Sequence, residues 1–181
     1  MISFIVPTIG RPTLARTLSS IERMPGDEIL IVGDSLLIPH LNHFHQPPNV
    51  RVIRHPAGND WGATERNYVT AFARGQHLAH IDDDDVYLPG TRALMAEAIG
   101  TCPAQPTLFR MQFRDGTTLW GEPKVTCGNV GTPMFLIPNR PTMLGTWGSF
   151  VGGDCHFLET MKWTPDQINW RPEIIAQIRP S

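Results

Sequence analysis

The sequence has no long apolar run, no CxxC pair, no surplus of basic residues and no glycine-rich loop after its first strand-like segment, and each absence removes a class of protein. No apolar stretch in the 181 residues approaches the roughly 20 needed for a helix to cross a bilayer. The opening MISFIVPTIG lacks the basic start and small-residue cleavage site of a signal peptide, so no membrane span and a soluble, cytoplasmic protein are expected. The formal net charge of -2 offers no global basic surface to hold phosphate backbones, which removes nucleic acid as an obvious partner. Cys102, Cys127 and Cys155 are odd in number and widely spaced, which predicts neither a disulfide framework nor a zinc ribbon but reduced thiols. His40, His43 and His45 have no acidic or cysteine partner nearby to complete a tetrahedral zinc set.

What is present describes one folded core. The 17 prolines and 16 glycines are scattered, as in a domain with many loops, and 41% hydrophobic content is enough for a single domain over residues 1–181. Ile2–Val6, Glu28–Val32, Val50–Ile53 and His77–Ile81 read as strands, and continuous apolar runs such as ISFIV and EILIV suit parallel strands covered on both faces. Arg11 and Pro12 are suited to start a helix carrying Leu14, Leu18 and Ile21 on one face. Gly62 to Arg74 repeats the theme, with Gly75 placed to end it. The order β-α-β-α-β-α-β predicts an α/β fold with a mainly parallel central sheet and ligands outside the carboxyl ends of its strands.

Beyond Gly90 the texture changes. A helix is predicted over Thr91–Ile99, and FRMQFR, Asp115-Gly116 and TTLW predict a hairpin with a two-residue turn. MFLIP reads as a further strand, Asp154 opens a helix over CHFLETMKW, and Thr164 to Ser181 reads as a proline-interrupted helical tail.

Asp82, Asp83, Asp84 and Asp85 follow the apolar HLAHI, and adjacent carboxylates at a strand end repel one another unless something positive offsets them. If the strand continues, Asp82 and Asp84 point to one side. Hard cations such as Mn²⁺ or Mg²⁺ take oxygen ligands and complete their shell with water and substrate phosphates, so one or two carboxylates suffice. A solvated acidic loop capping the next helix is the plainer alternative.

The string Ile81-Asp82-Asp83-Asp84-Asp85-Val86-Tyr87-Leu88-Pro89 resembles the LDxDDxxxP signature of the inverting glycosyltransferase family two, the DxD motif of the GT-A fold. SFIVPTIGRPTLARTLSSI, EILIVGDS and NDWGATERNYVTAFARG are similar, in that order, to the family's opening strand and helix, its second strand and its NxGxxxARNxG segment. The resemblance implies a single Rossmann-like GT-A domain, with residues 1–90 holding metal and nucleotide sugar and 91–181 facing the acceptor. It implies Asp84 as metal ligand with Asp82 in support, and Pro7, Thr8, Asp34, Arg66, Asp82 and Asp83 around a nucleotide-diphosphate sugar, a UDP-sugar foremost. Gly33-Asp34 has one acid where the family usually has two.

Displacement at an anomeric carbon needs a base opposite the leaving diphosphate. Gly153-Asp154-Cys155-His156-Phe157 resembles the family's acidic motif, which implies Asp154 as that base, although Asp is also a preferred helix N-cap. His156 is a candidate additional metal ligand, and Trp120 and Trp147 are candidate acceptor platforms, against the plainer roles of helix surface and core. The second half is short for the family, so the acceptor is expected to be large or partly held by another subunit, as in a homo-oligomer. Two other readings stay open, a nucleotidyltransferase and a non-catalytic nucleotide-sugar-binding module.

Overall fold

The computed structural model describes residues 1–33, 49–56 and 58–180. Asp34 and the histidines at 40, 43 and 45 lie outside the described residues. Four strands build the first half: β1 (Ile2–Thr8), β2 (Glu28–Gly33), β3 (Val50–Arg54) and β4 (His77–His80). Every residue of β1, β2 and β4 is buried, as their unbroken apolar runs require. These strands are mutually parallel in the order β3-β2-β1-β4, with Thr8 opposite Gly33 and Ile5 opposite His80. Their carboxyl ends therefore open on one edge, and the acidic run leaves β4 there.

Helices α1 (Leu14–Ser20) and α2 (Ala63–Thr70) flank this half. α1 starts later than Arg11-Pro12 suggests, with Thr13 at its N-cap, because the Arg11 side chain is drawn instead to Asp83. α2 stops short of Gly75, whose role is close approach: a Cβ there would lie 2.4 Å from the Ser3 backbone nitrogen on β1.

The second half extends the same sheet. After β5 (Val86–Tyr87) and α3 (Thr91–Thr101) come β6 (Thr107–Gln112), β7 (Thr118–Leu119), β8 (Phe135–Pro138), α4 (Gly153–Thr160) and β9 (Asn169–Gln177). The full order is β3-β2-β1-β4-β8-β6-β9-β5, with β7 on β6, giving a mixed nine-stranded sheet. The hairpin forms, but its loop has three residues: Phe113 N–H donates to the Thr117 carbonyl at 2.7 Å, and only Gly116 takes positive φ, at 88°. One left-handed glycine after a type I turn supports that longer loop, whereas the two-residue turn needs positive φ at both central positions.

Two expectations fail here. The tail is not helical but forms β9, parallel to β6 and antiparallel to β5. Pro172 falls where the β6–β9 register jumps between Leu108 and Arg110, so a bulge accommodates the residue that cannot donate to the ladder. Trp170, Ile174 and Ile175 then meet the strand's preference for aromatic and β-branched side chains. Cys127 and Cys155 are not free thiols but a disulfide that ties the loop before β8 to α4, while Cys102 is unpaired. Among the described residues no helix is long and apolar enough to cross a membrane.

The fully buried Asp27 fastens the strand edge opposite the acidic run. It accepts from Ile2 N–H and Met24 N–H at 2.8 Å each, and from Arg92 Nε and Nη2 at 2.6 and 3.1 Å. Burial pushes its carboxyl up, but these donors more than offset that and hold it below its ordinary value. Asp27→Ala strands the Arg92 charge and should cost about 3–5 kcal/mol in urea unfolding at pH 7. Because the folded-state pKa is depressed, the wild-type contribution is complete above the unfolded value near 3.9 and vanishes as pH falls through the folded one. The gap between wild type and variant in an unfolding series from pH 7 downward should therefore narrow only below about pH 4.

Candidate active site

The strand does not continue through the aspartates. β4 ends at His80, and Asp85 N–H donates to the Asp82 carbonyl at 3.2 Å, closing a turn over Asp82–Asp85. Asp is a favoured turn residue, and folding the chain here sends the four carboxylates to different partners. The buried Asp83 leaves the cluster: it accepts from Thr8 Oγ1 at 2.6 Å, from Ile9 N–H at 3.2 Å and from Arg11 Nη1 at 2.5 Å. Oxygens of Asp82, Asp84 and Asp85 converge within 4.8 Å of one another.

That trio fits a hard divalent cation, since oxygens of three carboxylates face one point. Burial first, then the charges of Asp82 and Asp84, raise the Asp85 carboxyl to about 7, against the opposing Arg179 N–H and guanidinium. A carboxylate so penalised in the bare site is what a cation would relieve. Arg179 Nε also lies 3.2 Å from Asp84 Oδ2, and Arg11 Nη1 lies 3.5 Å from it.

Arg66 is not a surface arginine. It is 2% exposed, ion-paired with Asp82, donates to the Trp61 carbonyl at 2.8 Å and rests 4.7 Å from the centre of the Trp147 ring. The guanidinium thus fixes Asp82, and its stacking on an indole adds to the attraction. Behind it His80 is fully buried, neither ring nitrogen has a hydrogen-bond partner among the described residues, and burial followed by the Arg66 charge holds it neutral.

Two clefts meet at this ion pair. One, of about 340 Å³, is lined by Pro7, Thr8, Glu65, Asp82, Asp83, Asp84 and Arg179. The other, of about 220 Å³, is lined by Arg66, Thr132, Trp147 and Asp154. Asp82 and Trp61 line both. Asp154 lies in the first turn of α4, but the N-cap is Gly152 at φ 97°, and no capping bond from a side chain is made. Its carboxylate accepts no hydrogen bond among the described residues, and its charge is felt at Asp82.

Sequence reasoning brought Pro7, Thr8, Asp82, Asp83, Asp84, Arg66 and Asp154 to these two adjoining clefts. His156 is placed differently: its ring stands edge-on to Phe150 at 5.3 Å and is not among the convergent acids. Trp147 is 4% exposed and packs in the core, and Trp120 packs against Trp170 away from both clefts. Two residues were missed. Asp85 was set aside by strand alternation, though it is the last acid of the LDxDD-like string. Arg179 reaches the site only through β9, which left no local signal.

Residues 3–160 match the profile of glycosyl transferase family 2. S. aureus TarS residues 1–349 superpose with a TM-score of 0.75 at 17% identity, over 98% of this chain and 60% of that one. The same protein solved in complex with UDP-GlcNAc gives 0.71 at 16% identity, over 97% and 57%. The chain therefore spans about 60% of the TarS piece it resembles, and at this identity the likeness concerns the GT-A fold. No protein of curated function matches the sequence. With the family match running from β1 through α4, the chain belongs to glycosyl transferase family 2.

Proposed function

We propose that residues 1–181 act as one metal-dependent glycosyltransferase domain that moves a sugar from a UDP-sugar to an acceptor hydroxyl with inversion. The observation that carries this reading is the junction of the two clefts at Asp82, which gathers with Asp84 and Asp85 on one side and faces the cleft of the uncommitted Asp154 carboxylate on the other. Residues 1–90 supply nearly all of the larger cleft, the proposed donor site, while residues from 131 onward supply most of the smaller, the proposed acceptor side. TarS structures with UDP-GlcNAc and with UDP support the choice of nucleotide.

Asp82, Asp84 and Asp85 would hold Mn²⁺ or Mg²⁺, which supplies neutralisation of the departing diphosphate. Thr8 borders the donor cleft, and Arg66 keeps Asp82 oriented at its edge. Asp154 accepts the acceptor's proton as its oxygen bonds to the anomeric carbon, and the bond from that carbon to the diphosphate oxygen breaks, its electron pair leaving with the UDP. An ionised carboxylate suits the first turn of α4, where the helix dipole favours negative charge.

Calorimetry should show UDP binding in Mn²⁺ or Mg²⁺ and none in EDTA; equal affinity in EDTA removes the metal from the proposal. Asp84→Asn should weaken metal and UDP binding together, because it takes a charge from the trio.

Asp154→Asn should keep both affinities while transfer falls by about 10² to 10⁴. With Gly152 as the cap, the amide should cost α4 little stability. A variant that transfers as fast as wild type makes Asp154 a bystander, and the base must then be sought elsewhere.

The proposed compartment is the cytoplasm, which keeps most thiols reduced. Cells quenched in acid and alkylated under denaturing conditions should then show Cys127 and Cys155 reduced in place, the bond between them forming only in oxidising solution. A pair that resists alkylation until a reductant is added points to an oxidising compartment instead.

A further inference from the structure

Three large apolar side chains that the fold leaves exposed, Trp61 at 73%, Phe150 at 51% and Val151 at 82%, line the same cleft as Asp154. Apolar groups gathered beside a polar cleft mark an interaction site more often than single exposed ones do. Trp61 also takes φ 63°, a conformation a bulky residue avoids, so its ring is held outward at a conformational cost and without burial.

Polar clamps fix the two loops that carry the rings. Asp60 accepts from Thr64 N–H at 3.1 and 3.3 Å and from Ser149 Oγ at 3.2 Å, joining the residue before Trp61 to the residue before Phe150. Asn67 exchanges hydrogen bonds of 3.0 and 2.9 Å with the Trp147 backbone on the same loop. Arg66 holds the Trp61 carbonyl, and Phe150 leans on His156. The rim is preorganised by these contacts rather than by burial of the rings themselves.

We infer that Trp61 and Phe150 form an aromatic rim that holds a neutral saccharide as the acceptor, with one hydroxyl directed at Asp154; this rests on the transferase reading above. The cleft has apolar edges and a polar floor of Asp82, Thr132 and Asp154. A sugar ring matches both, since its C–H faces pack on aromatic rings while its edge hydroxyls donate to carboxylates. An acyl chain would have to desolvate those carboxylates without pairing them. A phosphate-bearing polyol would meet Asp82 and Asp154, whose two negative charges face the single Arg66, already engaged with Asp82.

The test uses the whole protein loaded with UDP and Mn²⁺, on an array of neutral oligosaccharides with ribitol 5-phosphate and dodecyl phosphate as competitors. The wild type should bind at least one neutral oligosaccharide and be displaced by neither competitor. In calorimetry with the best-bound oligosaccharide, Phe150→Ala and Trp61→Gly should each weaken binding by about tenfold or more, and Trp61→Phe should restore most of it. Glycine accepts the φ of Trp61, which offsets its larger unfolded-state entropy, so Trp61→Gly should melt close to wild type and its loss of binding is not unfolding. Phe150 borders only the smaller cleft, so Phe150→Ala should titrate with UDP like wild type. Binding of no neutral oligosaccharide, displacement by either competitor, or wild-type affinity in both ring variants overturns the inference. Absence of UDP binding in the wild type, with oligosaccharide binding intact, instead overturns the donor reading alone.

Discussion

Four consecutive carboxylates at the end of a fully buried strand repel one another, and much of the surrounding structure answers that repulsion. The chain turns at once, so that Asp82 and Asp85 share a backbone hydrogen bond and Asp83 is sent away from the others. Three guanidiniums then arrive from separate parts of the sequence: Arg11 before α1, Arg66 within α2 and Arg179 beyond β9. None neutralises the run alone, and Asp85 remains hard to ionise. The arrangement leaves three carboxylates facing one point under electrostatic tension, a condition a divalent cation relieves more fully than another side chain.

Asp83 shows how an acid inside a ligand-like string becomes structural. Its carboxylate joins the end of β1 to the loop that leads into α1, setting Thr8 at the rim of the larger cleft. Arg66 acts on the other flank, where it locks Asp82 while covering the Trp147 ring. The two bonds place the aspartates on either side of the turn, so the spacing of the acids is held by β1 and α2 rather than by the turn itself.

The parallel half of the fold was legible because its strands are buried on both faces, and such burial writes itself into unbroken apolar runs. β9 was not, because Pro172 is a strong local sign of interruption, and the bulge opposite β6 that absorbs it depends on a strand some sixty residues away. The acids were found as a group, but which of them converge was misjudged: alternation assumes an extended chain, and the turn at Asp82–Asp85 breaks it. Asp154 was found by position, while its freedom from capping needed the left-handed Gly152, which no local spacing announces. The disulfide joins cysteines 28 residues apart and carries no motif, so only the meeting of the loop with α4 reveals it.

The placement of β9 bears on how the protein comes into being on the ribosome. The parallel strands β1 to β4 are made first and can pair with one another early, yet among the described residues β5, which follows the acidic turn immediately, joins the sheet only through β9. Until residue 177 has been synthesised, that turn has no sheet on its downstream side and lacks Arg179, so its carboxylates repel with only part of their compensation. Long-range pairing of this kind is slow to form, and the nascent acidic segment should stay solvated and open while the rest condenses. Maturation of the cleft thereby waits for β9 and Arg179 rather than for folding of the half in which most of its residues lie.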